Sequence, residues 1–214
     1  KMRKDLTPVV TPVGDLHWVN IFGQGKQNYN EDGYDYTATV YLSGDDANKV
    51  KAKIDEVLGP IPEGKKVKSK GYRELYKDAD GNLYSPSESK PASEGKPSGI
   101  FAFQFKTGVT LPDGRTKVVG VYNKDAKKIT LGDRKVGNGS LGAISGKLQR
   151  YEKGKEIGVS LFLHAIQLTE FVEYSDDAGF EEQEGSFDAP VDEESGFSGQ
   201  AEAKPEVAKE KPRL

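Results

Sequence analysis

The chain has 214 residues, 30% charged and 35% hydrophobic, enough apolar matter for one domain of ordinary size with part of the chain outside its core. The absence of cysteine excludes a disulfide framework, a thiolate zinc site and a cysteine nucleophile together, and no apolar run approaches the roughly 20 residues that span a bilayer. The net charge of −3 divides unevenly: residues 175–214 carry 12 acidic and 4 basic side chains, net −8, which leaves 22 acidic and 27 basic ones, net +5, on residues 1–174.

In chain order, KMRKDLTPVV has positive charge but no apolar core, so no signal peptide is expected. LHWVNIFG (16–23) is rich in β-branched and aromatic residues and closes on Gly, a strand signature. GYDYTATVYLS alternates, with Tyr34, Tyr36, Ala38, Val40 and Leu42 on one face and Asp35, Thr37, Thr39 and Tyr41 on the other. The period then changes. Val50, Ile54, Val57 and Leu58 recur at helical spacing, Ser43 to Asp46 offer capping groups, and Gly59-Pro60 stops the helix.

Residues 60–99 read as an irregular insertion rich in Pro, Gly, Ser and Lys, holding one small hairpin, YRELYKDADGNLYSP, that turns at Asp80-Gly81. DADGN has the letters of a calcium loop without the later ligands, so a turn is the expectation. IFAFQFKTGVTLPDGRTKVVGVY predicts a second hairpin. Phe101, Phe103 and Phe105 share one face, Ala102, Gln104 and Lys106 the other, and Pro112 to Gly114 make the turn. SLGAISGKLQRYEKGKEIGVSLFLHAIQLTEFVEY predicts two long strands around EKGKE, with Val159, Leu161, Leu163, Ala165 and Gln167 opposed to Ser160, Phe162, His164, Ile166 and Leu168. Five or more antiparallel strands and one helix favour a small barrel, which removes sheet edges and lets the helix plug one end.

Chemistry-bearing motifs are few. GNGSLG (137–142) matches the letters of a dinucleotide fingerprint, but strand-like alternation and Gly146 follow it where a helix would be needed, so a loop is expected. His17 and His164 fall inside predicted strands with no metal-pair spacing, and read as partly buried imidazoles. No carboxylate constellation, catalytic residue, metal site or cofactor is expected. What recurs is aromatic residues interleaved with bases: Trp18, Tyr34, Tyr36, Tyr41, Lys106, Arg115, Lys117, Tyr122, Arg134, Lys135, Arg150, Tyr151, Lys153 and Lys155. Single-stranded nucleic acid needs that combination, because bases stack on flat side chains while cations track the backbone. Phe101, Phe103, Phe105 and Phe162 are assigned to the core instead.

The order of these segments, from DLHWVNIFGQGKQNYNEDGYDYTATVYLSGDDANKVKAKIDEVL to LGDRKVGNGSLGAISGKLQRYEKGKEIGVSLFLHAIQLTEF, resembles the bacteriophage single-stranded DNA-binding proteins of the replicative, helix-destabilising kind. The resemblance implies a mainly β, OB-fold-like small antiparallel barrel with one short helix over residues 1–174, and a disordered acidic tail over 175–214. It implies DNA contacts at Tyr151 and the bases near it, at the outward face around Lys106, and at Trp18. It implies a non-enzymatic protein that coats single-stranded DNA during phage replication, recombination or repair, in the cytoplasm of the infected bacterial host. Duplex DNA is a weaker partner on this reading, and the sequence leaves a homodimer open.

The tail stretch DDAGFEEQEGSFDAPVDEESGF holds nine carboxylates and no Lys or Arg, with Phe180, Phe187 and Phe197 as anchors for a replication partner such as polymerase or primase-helicase. The same acidic charge would compete with DNA for a basic groove. A protein- or glycan-interaction module of a phage assembly is the alternative from another class.

Overall fold

The computed structural model of the chain describes residues 6–28 and 33–174. The tail expected over residues 175–214, with Phe180, Phe187 and Phe197, lies outside them.

Twelve strands and one α-helix make up the described residues: β1 (Thr7–Val10), β2 (Gly14–Asn20), β3 (Lys26–Gln27), β4 (Tyr34–Ser43), α1 (Gly44–Leu58), β5 (Lys66–Ser69), β6 (Tyr72–Lys77), β7 (Leu83–Tyr84), β8 (Lys96–Gly108), β9 (Gly120–Tyr122), β10 (Lys128–Ile129), β11 (Ser140–Lys153) and β12 (Glu156–Glu170). Five of them close a ring. β2 lies between β11 and β4, β4 pairs with β8, β8 meets β12 in a parallel contact at Lys106 and Phe162, and β12 returns to β11. This is the closed five-stranded barrel of an OB fold.

The alternation read from the sequence builds the core. Tyr36, Ala38, Val40 and Leu42 of β4 point inward, where they meet Phe103 and Phe105 of β8, both fully buried. Val159, Leu161 and Leu163 of β12 and Ile144 and Leu148 of β11 fill the opposite wall. Helix α1 buries Ala47, Val50, Ile54 and Leu58 and touches β4, β8, β11 and β12, the reach of an element lying across a barrel end. Asp45 and Asp46 occupy its first turn, where the helix dipole favours them, although the Ser43 side chain makes no cap bond. At the far end Gly59 takes φ 59° and its N–H donates to the Asp55 carbonyl. No helix among the described residues is long and apolar enough to cross a membrane.

Four expectations change. The first strand ends at Asn20 rather than Gly23, where the chain turns with Gly23 at φ 63°, and Trp18, at φ 53° within the strand, breaks its register with β4 between His17 and Asn20. The insertion over 60–99 is ordered. Its strand β6 adds to β8 and β5 runs parallel to β12, and the expected β6–β7 hairpin is present, with Asp78 Oδ1 accepting from the N–H groups of Asp80 and Asn82 in the turn. Beyond the turn at Pro112 to Gly114 the chain does not return along β8 past a bridge at Thr110 and Thr116; β9 pairs in parallel with β12. On β12 the register passes from Leu163 to Ala165 without pairing His164, and this bulge flips the alternation so that Ile166 and Leu168 join the core.

Candidate nucleic-acid interface

Side chains that point away from a barrel core are brought into rows by strand register. On this barrel Thr37 of β4 stands opposite Lys106 of β8, Lys106 opposite Phe162 of β12, and Phe162 opposite Lys147 of β11. Beyond the Thr39–Gln104 pair, a further row joins Tyr41, Ala102 and Arg73 across β4, β8 and β6. At the far end of the β11–β12 pair, Tyr151 faces Gly158, which in turn faces Ser69 of β5.

Between the insertion and the β11–β12 pair these rows enclose a groove of about 690 Å³, lined by Tyr72, Arg73, Gln104, Lys106, Tyr151, Lys153 and Ser160 among others. Its walls depend on two close approaches. Gly71, at φ 76°, carries the insertion over β12 so tightly that a Cβ there would stand 2.1 Å from Leu161 Cδ1. Gly158 leaves room for the Tyr151 ring, since a Cβ would stand 2.5 Å from the tyrosine hydroxyl. The ring is therefore propped on backbone and half-exposed, and its hydroxyl has no hydrogen-bond partner among the described residues.

The groove's charged lining is Arg73, Lys106 and Lys153, all exposed, with no carboxylate beside them. The nearest acids of the β11–β12 turn are engaged elsewhere. Glu152 pairs with Lys65 at 3.3 Å and Arg150 at 3.1 Å, and Glu156 with Lys68 at 2.8 Å. The Lys65 ammonium, helped by Arg150, holds the Glu152 carboxyl below its usual range.

At the other end of the face Trp18 is 66% exposed, the largest aromatic surface on the barrel. Its left-handed backbone, unusual for a bulky residue, is held from two sides. Its N–H donates to Asn138 Oδ1 at 2.9 Å, and its carbonyl accepts from the Thr37 hydroxyl at 3.3 Å. Asn138 belongs to GNGSLG, which is a turn leading into β11 as expected, braced by Ser140, whose hydroxyl oxygen accepts from the Val172 N–H and whose single proton is within reach of the Gly137 carbonyl at 2.9 Å and the Val172 carbonyl at 3.1 Å. Beside Trp18, His17 and Tyr41 stack with ring centres 3.9 Å apart and planes 15° apart. Burial pushes the His17 imidazole below its usual pKa, against a smaller pull from Asp15.

Of the residues singled out in the sequence, Tyr151, Lys106 and Lys153 share the groove, and Trp18 and Tyr41 lie on strands of the same outer face. Lys117 lines a second cavity near Phe162. Arg150 turns towards the helix end, donating to the Pro60 carbonyl at 3.3 Å. Arg115 closes on Asp113 at the tip of its turn at 2.7 Å. Arg134 lies over Phe171 and Lys135 over Tyr174, 5.4 and 5.8 Å from the ring centres, and Lys155 is exposed in the β11–β12 turn. Phe162, assigned to the core from sequence, is half-exposed on the outer face, and His164 is exposed. Arg73, Lys147 and Asn138 were missed. Lys147 shares the two-residue period of Tyr151 and Lys153 and was findable from that alone.

No family model matches the chain, and no curated protein does. Among solved structures it is similar to gp2.5, a single-stranded DNA-binding protein encoded by bacteriophage T7, with a TM-score of 0.53 and 16% identity over 87% of this chain and 100% of that one. It is also similar to a single-stranded DNA-binding protein from bacteriophage Enc34 in complex with single-stranded DNA, with a TM-score of 0.45 and 15% identity over 81% of this chain and 94% of that one. The first likeness shows that the barrel with its added strands has the fold of gp2.5.

Proposed function

We propose that this chain is a sequence-tolerant, non-enzymatic single-stranded DNA-binding protein of a bacteriophage, and that the groove is where the strand lies. The observation that carries the reading is the meeting of Tyr151, Lys106, Lys153 and Arg73 around one groove without a carboxylate. A propped aromatic ring offers any base a stacking surface, and three cations can follow a backbone without reading sequence. The fold shared with gp2.5, itself a single-stranded DNA-binding protein, supports the same reading.

In this role the protein coats and protects single strands during phage replication and recombination, in the host cytoplasm. The acidic residues 175–214 compete with DNA for the groove and recruit replication proteins, with Phe180, Phe187 and Phe197 as anchors. The test is fluorescence anisotropy of labelled oligo-dT against salt. Three cations each neutralising one phosphate give a slope of log K on log salt of about −2, from roughly −0.7 per contact on a single strand. Affinity then falls about 20-fold between 50 and 200 mM salt. Undetectable or salt-insensitive binding overturns the reading. Removal of residues 175–214 raises affinity at low salt if the tail competes, and unchanged affinity removes that half of the proposal.

A further inference from the structure

A second cavity, of about 370 Å³, opens on the same outer face, lined by Lys117, Lys147, Gln149, Phe162 and His164 together with leucines. Its chemistry differs from that of a surface dimple. The Lys117 ammonium is anchored from below, donating to the Thr107 hydroxyl at 2.5 Å and towards the Leu163 carbonyl at 3.5 Å. An ammonium has three donors, so one remains for the cavity. Burial, reinforced by the nearby Lys147 charge, pushes Lys117 below the usual lysine pKa, and no carboxylate lines the cavity to offset either effect. Two like charges facing one space at a half-buried site are relieved by an anion placed between them.

The remaining wall is apolar. Phe162 sits in register between Lys106 and Lys147, with its side chain on the cavity. An inorganic anion would use the two ammonium groups and leave the ring idle, whereas a nucleotide uses both. The cavity also adjoins the groove: Ser160, on the groove, pairs with Gln149, on the cavity, and Lys106, on the groove, pairs with Phe162, on the cavity.

We propose that this cavity is a second nucleotide subsite, in which Lys117 and Lys147 hold a backbone phosphate and Phe162 supports a base. The inference rests on the single-stranded DNA reading. It places the strand along the outside of β12, past Gly158, Ser160, Phe162 and His164, a path of about 20 Å at 3.3 Å per residue.

Three variants test it by anisotropy with oligo-dT in a salt series, each checked by circular dichroism for folding. Lys147→Gln, at an exposed position, and Lys117→Gln each weaken binding and flatten the salt slope by part of the roughly 0.7 that their one shared phosphate contributes. Phe162→Leu, which keeps much of the packing, weakens binding by about fivefold or more with the slope unchanged, as lost stacking requires. Wild-type slopes and affinities in all three, alongside a weakened Tyr151→Ala control, overturn the subsite and leave the groove standing. No binding by the parent protein fails both readings together. Titration with inorganic phosphate separates the remaining source. Phosphate bound equally well by the parent and by Phe162→Leu, and not displaced by oligo-dT, assigns the cavity to a free anion and overturns the nucleotide subsite.

Discussion

Replacing Tyr151 separates stacking from charge on this groove. The ring leans on Gly158 and lines the groove with its hydroxyl free of partners among the described residues. Its contribution to binding should therefore come from the ring and not from the oxygen. Tyr151→Ala removes one stacked base, about 1 to 3 kcal/mol, which is a rise in Kd of roughly 5- to 160-fold. Tyr151→Phe keeps the ring and should stay within about twofold of the parent. Because neither change removes a cation, plots of log K against log salt should be displaced in parallel for Tyr151→Ala and superimposed for Tyr151→Phe. Lys106→Gln, in the same groove, should do the reverse and flatten the slope by about 0.7. The measurement is anisotropy of labelled oligo-dT at four or five salt concentrations. A Tyr151→Phe protein as weak as Tyr151→Ala would refute the stacking argument, and a slope changed by Tyr151→Ala would show that the residue acts through nearby phosphate contacts.

Asn138→Ala removes the acceptor that holds Trp18 at φ 53°, so the indole should lose its fixed position; as Trp18 is the sole tryptophan, intrinsic fluorescence reports on it directly. A shifted emission maximum and altered acrylamide quenching are expected, with Asn138→Asp restoring the parent spectrum because it keeps the acceptor; an unchanged Asn138→Ala spectrum refutes the positioning role. Gly71→Ala combines a strained positive φ with a Cβ 2.1 Å from Leu161 Cδ1, and should destabilise the fold by about 1 to 3 kcal/mol in urea titration. A loss under half the lower figure would show that the insertion can lift from β12 without penalty. His17 is held below its usual pKa of about 6.5 by burial. The unfolded chain then binds more protons just below that value, so the His17 contribution is complete above about pH 6.5 and is lost as pH falls towards the folded pKa. Urea midpoints should decline over that interval and His17→Gln should flatten the decline; an equal decline in both proteins assigns it to other groups.

Local periodicity carried the parts of the site that a single strand decides. The two-residue period put Lys106 on the face of β8 opposite Phe103 and Phe105, while Tyr151 stood out as a ring at a hairpin end crowded with bases; Lys153, read as part of the turn EKGKE, is in fact the last residue of β11. Features set by pairing between distant segments were not legible. Arg73 reaches the groove because β6 adds to β8, and nothing in YRELYK announces that partner. Phe162 was assigned to the core because FLHAI looks apolar on both sides, although its alternation with Leu161 and Leu163 already set it on the opposite face; the bulge at His164 moves only the residues after it, Ile166 and Leu168, into the core. The bond from Trp18 to Asn138 spans 120 residues, so GNGSLG could be recognised as a loop without any sign of what it holds.

Net charge needed the same correction by geometry. A surplus of five positive charges on residues 1–174 points to an anionic partner but not to a place. Position and ion pairing together narrow it. Lys49, Lys65, Lys70, Lys90, Arg115 and Arg150 all have carboxylates within 4 Å, and their fields are largely cancelled locally. Arg73, Lys106, Lys147 and Lys153 have no ion pair among the described residues, and all four point from the outer face of adjoining strands. A phosphate backbone laid there gains full counterion release from each, whereas the same backbone at Arg115 or Arg150 must first displace an acid. The unpaired cations of the groove, Arg73, Lys106 and Lys153, rather than the total, therefore set the expected salt slope of about −2, to which one phosphate at Lys147 adds about −0.7.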